Sequence, residues 1–142
     1  RPAAEAARLD GACLIVPLPG DASADQIRDR VQGWMQSHAQ TVFAERLGVY
    51  CERMGVAVGR WKLSSARARW GSCSANGDIR YSWRLILAPP SVLEATVAHE
   101  VAHLKHMNHG ARFWALVEKL TAETEAARAW LRRDGAGLHR YG

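Results

Sequence analysis

The 142 residues are 48% hydrophobic, enough for one domain with a buried core. Apolar runs such as Ala12 to Val16, stopped at Pro17, are far too short to span a bilayer, and no stretch reads as a signal peptide. Three cysteines without paired spacing suit a reducing, cytoplasmic setting, and a net charge of +5 permits attraction to nucleic acid without establishing it.

Residues 1–20 read as an N-terminal extension, or the remnant of a missing β-rich part. Cys13-Leu14-Ile15-Val16 suggests a short strand, and Pro17-Leu18-Pro19-Gly20 a turn. The domain proper is expected over residues 21–142. Ser23 with Gln26 three positions on forms a capping box. From there Ile27, Val31, Trp34, Phe43, Leu47, Tyr50 and Met54 recur at helical spacing, which predicts a long amphipathic helix to about Gly55.

The period then changes. Ile79, Tyr81, Trp83, Leu85 and Leu87 alternate with Arg80, Ser82 and Arg84, the pattern of a half-buried strand. Asn76-Gly77 before it favours a tight hairpin turn, so a partner strand is expected over 65–74. Val56 to Leu63 suggests a third strand, and the three together a small antiparallel sheet. Pro89-Pro90 ends it. Ser91 and Glu94 form a second capping box for a helix with the apolar stripe Leu93, Val97, Val101 and Leu104. Gly110 breaks the chain before a helix that turns Phe113, Trp114, Leu116 and Val117 inward. A last helix, about 122–133, is docked by Trp130 and Leu131, and a frayed tail is expected beyond it. The fold class is α+β.

The chemistry is concentrated in His99-Glu100-Val101-Ala102-His103. On a helix the two histidines lie on one face, about 6 Å apart along the axis, and Glu100 lies about 100° round from His99. This is the His-Glu-x-x-His pattern of zinc hydrolases, with the glutamate as general base. Two further histidines follow within six residues. His106 on a continued helix would sit roughly 10 Å along the axis from His99, too far to converge. His109 can turn back once the helix ends, with Asn108 in a left-handed cap, so His99, His103 and His109 are the expected ligands. His106 is left as a supporting or substrate-side residue. Three imidazoles leave one position of a single Zn2+ open for water, which the metal acidifies while Glu100 takes its proton. Candidates for stabilising the oxyanion are Arg67, Arg69, Tyr81 and Asn108.

The blocks Arg69-Trp70-Gly71-Ser72-Cys73-Ser74, Gly77-Asp78-Ile79, Trp83-Arg84-Leu85-Ile86, the zinc motif and Asn108-His109-Gly110-Ala111-Arg112-Phe113-Trp114 together resemble the YgjP-like metallopeptidase family, related to the WLM and SprT-like proteases. The resemblance runs from about residue 14. It implies a zincin fold with a long helix, a small sheet, the active-site helix and helices after it. It also implies His99, His103 and His109 as zinc ligands and Glu100 as the catalytic glutamate. Full members usually carry a further β-rich N-terminal portion. No Met-turn follows the ligands, which sets the chain apart from the metzincins.

Arg69, Trp70, Gly71, Ser72 and Cys73, with His106 and Asn108, are the candidate substrate-binding residues. The strand they begin either aligns an extended peptide by main-chain pairing, or Trp70 is core and Gly71 a bulge. The expected activity is cleavage of a peptide or protein substrate. Two other readings stay open: a nucleotide pyrophosphatase whose Arg67, Arg69, Arg80 and Arg84 grip phosphates, and a DNA-associated repair protease module. The oligomeric state is not legible.

Overall fold

The computed structural model describes residues 8–10, 13–15, 20–122 and 124–140. It divides into two compact units, residues 1–38 and 39–142. In the first, β1 (Arg8–Asp10) pairs antiparallel with β2 (Cys13–Ile15), with Leu9 opposite Leu14. The expected strand is β2, and its partner was not foreseen. The turn expected at Pro17 to Gly20 falls, but for Gly20, outside the described residues.

Helix α1 (Ala24–Met54) begins as the capping box requires. Gln26 N–H donates to Ser23 Oγ at 3.1 Å, and Ser23 N–H to Gln26 Oε1 at 2.8 Å, so two of the orphan donors of a helix start are satisfied reciprocally. It ends at Gly55, whose φ of 67° is the left-handed conformation that glycine adopts without a Cβ clash. There Val56 N–H reaches back to the carbonyl of Cys51 at 3.0 Å. Within the second unit α1 buries Ala39, Phe43, Leu47, Tyr50, Cys51 and Met54.

The sheet has the order β3-β5-β4, from β3 (Trp61–Ser64), β4 (Gly71–Cys73) and β5 (Ile79–Ser82). β4 and β5 form the expected hairpin, closed by Ser74 N–H to Asp78 O at 2.9 Å, with Gly77 at φ 84°. β4 covers only the end of the predicted 65–74. β3 runs parallel to β5, so the sheet is mixed and not antiparallel. Alternation predicts which face a strand buries but says nothing about the direction of its partner.

The strand expected to reach Leu87 stops at Ser82, and Trp83–Leu87 is a 3-10 helix. Trp83, Arg84 and Leu85 are buried in succession, which a two-residue period cannot provide. Arg84, expected on the polar face, is 2% exposed and donates from Nη1 to the Ser65 carbonyl at 3.0 Å.

Helix α2 (Pro90–Ala102) is the centre of the second unit and packs against α3 (Ala111–Leu120), α4 (Thr124–Asp134), β4 and β5. Its second capping box does not form: Pro89 is the cap residue and gives no side-chain bond. Glu94 turns away to α1. It takes Arg46 Nε at 2.5 Å and Nη2 at 2.6 Å in a bidentate pair, and Tyr50 Oη at 2.8 Å. Leu93, Val97 and Val101 enter the core with Phe43, Tyr81, Phe113 and Val117. Trp130 and Leu131 on α4 are half-buried, and Thr124 and Ala127 are buried.

The tail after α4 is not frayed. It forms a 3-10 segment, Gly135–Arg140, in which Leu138 is buried and His139 stacks on Trp70 with centroids 4.8 Å apart. Among the described residues no helix is long and apolar enough to cross a membrane.

Candidate metal centre

Helix α2 stops where the site needs it to stop. His103 is its cap residue, and Leu104, Lys105 and His106 continue in tight turns, with His106 N–H bonded to the Ala102 carbonyl at 3.0 Å. The chain then reverses and delivers His109 just before Gly110, the cap of α3. No non-glycine residue takes a positive φ among those described, so Asn108 is not the left-handed cap expected; the turns after Ala102 do that work.

His99, His103 and His109 each present a ring nitrogen, and these atoms all lie within 4.8 Å of one another. His103 Nε2 and His109 Nε2 are 3.0 Å apart. Ligands about 2.0–2.1 Å from a tetrahedral ion lie about 3.4 Å from each other, so small rotations of these rings fit one ion. The donor chemistry fits as well. His103 Nδ1–H donates to the His106 carbonyl at 3.1 Å, which fixes the tautomer and leaves the Nε2 lone pair for a metal. His106 thus contributes its main chain and is not in the cluster.

Phe113 is the platform beneath all three rings. It is fully buried and stacks on His103 at 4.4 Å, with edge contacts to His99 and His109 at 4.9 Å each. The sequence suggested only a core residue there. Its spacing of four from His109 was the available signal. Burial pushes the His99 imidazole down to about 4, helped by His103, His109 and Arg128, and burial also lowers His103. Neutral rings are the form that binds a cation.

Glu100 is 6% exposed, and burial lifts its carboxyl to about 7 against the opposing charge of Arg69. β4 lies against it. A Cβ on Gly71 would stand 2.9 Å from Glu100 Oε2 and 3.0 Å from its Cγ. Gly71 is therefore a paired strand residue, opposite Tyr81, and not a bulge. Beside His99 and Glu100 opens a cavity of about 280 Å³, walled by Arg69, Trp70 and Gly71 on one side and by Arg128 and Leu131 of α4 on the other.

Trp70 is both packed and part of this wall: the aromatic face is covered by His139, and a Cβ on Gly135 would meet its Cζ2 at 3.0 Å. Ser72 and Cys73 follow on β4, half-buried, and Asn108 is exposed. Burial raises the Cys73 thiol, a free cysteine like Cys51. Tyr81 is unsuited to oxyanion duty, since its hydroxyl is buried and donates to the Val97 carbonyl at 3.0 Å. Arg67 donates to the His139 carbonyl at 2.7 Å, Arg84 to Ser65, and Arg80 lines a different cavity with Arg60 and Lys62. Of the four arginines expected to converge, only Arg69 reaches this one.

Comparison with known proteins agrees with this geometry. Residues 6–134 match the family model of the YgjP-like metallopeptidase domain. Comparisons with curated proteins and with solved structures returned no match. Nearly the whole chain, including the three converging histidines and the buried glutamate, falls in the matched span, and the chain belongs to the YgjP-like metallopeptidase family.

Proposed function

We propose that the chain is a zinc-dependent peptidase in which His99, His103 and His109 hold one Zn2+ and Glu100 is the general base. The observation that carries this reading is the convergence of three imidazoles beside a buried carboxylate on the wall of an open cavity. Three nitrogen ligands and an open position are the donor set of catalytic rather than structural zinc. When bound, the ion acidifies water and polarises the scissile carbonyl.

The protein's own groups supply the rest. Glu100, on α2 and against Gly71, takes a proton from the attacking water on its carboxylate and passes it to the leaving amine. A carboxyl lifted towards neutrality is matched to both halves of that transfer. Phe113 covers one face of the His103 ring, and the His106 carbonyl orients it. Among the described residues β4 pairs with β5 along one edge only, and we assign its other edge to main-chain pairing with an extended substrate beside Glu100. Arg69, whose charge acts on Glu100 and which lines the same cavity, is the candidate for holding the oxyanion. The free thiols Cys51 and Cys73 suit a cytoplasmic setting.

The test is to measure bound metal by elemental analysis, then profile peptides and nucleotides with the native chain and Glu100→Gln. One zinc per chain, with peptide cleavage lost in the variant while zinc is retained, is the expected result. Phosphate release from nucleotides without peptide cleavage would transfer the site to the pyrophosphatase reading. Zinc that supports neither reaction, beside DNA binding that falls steeply with salt, would favour the DNA-associated module.

A further inference from the structure

The cavity next to the metal centre has more shape and charge than hydrolysis alone requires. We propose that it is a specificity pocket for a carboxylate-bearing side chain, aspartate or glutamate, on the substrate residue that supplies the leaving amine. The inference rests on the peptidase reading above and adds the substrate class.

Size comes first. At about 280 Å³ the cavity lies at the lower bound of pockets that enclose whole small-molecule ligands, roughly 300–1,000 Å³, and suits a single side chain. Trp70, Ala127 and Leu131 give it apolar wall, which accommodates the methylenes of such a side chain. Charge decides the head group. Arg69, just ahead of β4, and Arg128, on α4, both line the cavity, and neither is ion-paired among the described residues. Arg128 is held over the Trp114 ring at 4.8 Å, and Trp114 in turn touches His99 and His109, so this guanidinium is fixed relative to the metal ligands. Among the described residues Glu100 is the one carboxylate on the wall, and two guanidiniums outnumber it. A lysine or arginine side chain would meet like charge from both.

Position follows from Glu100. It shares the wall with Gly71 and hands its proton to the leaving nitrogen, so the residue carrying that nitrogen is the one whose side chain faces the cavity.

Two measurements test the inference. The zinc-loaded chain is given peptides that vary only at the residue on the amine side of the scissile bond. Glutamate is expected to exceed glutamine by about tenfold in kcat/KM and lysine by more, with Arg128→Glu reversing the order and Arg69→Gln flattening it. Separately, the metal-free chain is titrated with the N-acetylated amides of glutamate, glutamine and lysine, followed by tryptophan fluorescence, which excludes chelation of zinc by the ligand. The glutamate derivative is expected to bind tightest, with loss of that preference in Arg128→Glu. Equal binding of glutamate and glutamine, or an acidic preference on the acyl side only, overturns the pocket. Selective binding of the glutamate derivative without cleavage of any peptide instead overturns the peptidase reading and leaves the pocket standing.

Discussion

Gly71→Ala tests how the general base is positioned. Gly71 has an ordinary negative-φ backbone, so alanine is sterically permitted by the main chain and any effect must come through its neighbours. The three atoms nearest to the added methyl all belong to Glu100: Oε2 at 2.9 Å, Cγ at 3.0 Å and Cδ at 3.2 Å. Comfortable carbon contacts are about 3.5–4.0 Å, so the carboxylate must retreat by about half an ångström or more. Its backbone is fixed in α2 and it is 6% exposed, so any retreat moves the carboxylate from its resting place. Overpacking of this kind costs about 1–3 kcal/mol of stability. A misplaced general base at that scale costs on the order of 10- to 100-fold in kcat. Steady-state kinetics on metal-loaded protein, with metal content and thermal denaturation measured alongside, separate the effects. Metal content should be unchanged, and alanine should cost no stability in a Glu100→Ala background, where its clash is gone. A Gly71→Ala protein with native stability and kcat within about twofold of the parent would refute the reasoning.

Three other outcomes are expected. His109→Ala will lose metal while His106→Ala retains it, read by equilibrium dialysis, because the second residue supplies only its carbonyl. Glu94→Gln will destabilise the fold by about 1–2 kcal/mol in denaturant titration, since it loses the charge that accepts two bonds from Arg46 and one from Tyr50. In chelator, Glu100→Gln will be more stable than the parent at pH 8. The folded carboxyl sits at about 7 against 4.5 unfolded, so the parent keeps its full stability below about pH 4.5 and loses about 3 kcal/mol as the pH rises through 7. The two proteins should converge near pH 5 in urea melts, and a pH-independent difference would contradict the burial of that charge.

What the sequence made legible was local. The Ser23–Gln26 cap, the Gly55 stop and the Asn76-Gly77 turn each depend on residues within one helical or hairpin turn, and all three form. His99 and His103 were readable because their geometry is set by one helix, and His109 because the helix must end first. What failed depends on distant partners. Glu94 has the spacing of a capping residue, yet a bidentate arginine 48 positions away outcompetes the Ser91 amide. The tail of Gly135–Arg140 has no strong periodicity of its own, and distant groups hold it: the Trp70 ring under His139 and the Arg67 guanidinium on the His139 carbonyl. Arg128 could not be assigned to the site from sequence, since α4 brings it there through packing against α2. Arg84 was misjudged for a similar reason: a buried guanidinium needs a carbonyl acceptor, here Ser65, that no periodicity reveals.

Zinc-dependent hydrolysis by this site requires one ion among three named rings with a corner left for water. Anomalous diffraction at the zinc edge from crystals grown with zinc tests it directly. A single strong peak bonded to His99, His103 and His109, with Glu100 close by and unligated, is expected. A peak bonded through His106, or one whose fourth ligand is another protein side chain, would contradict it.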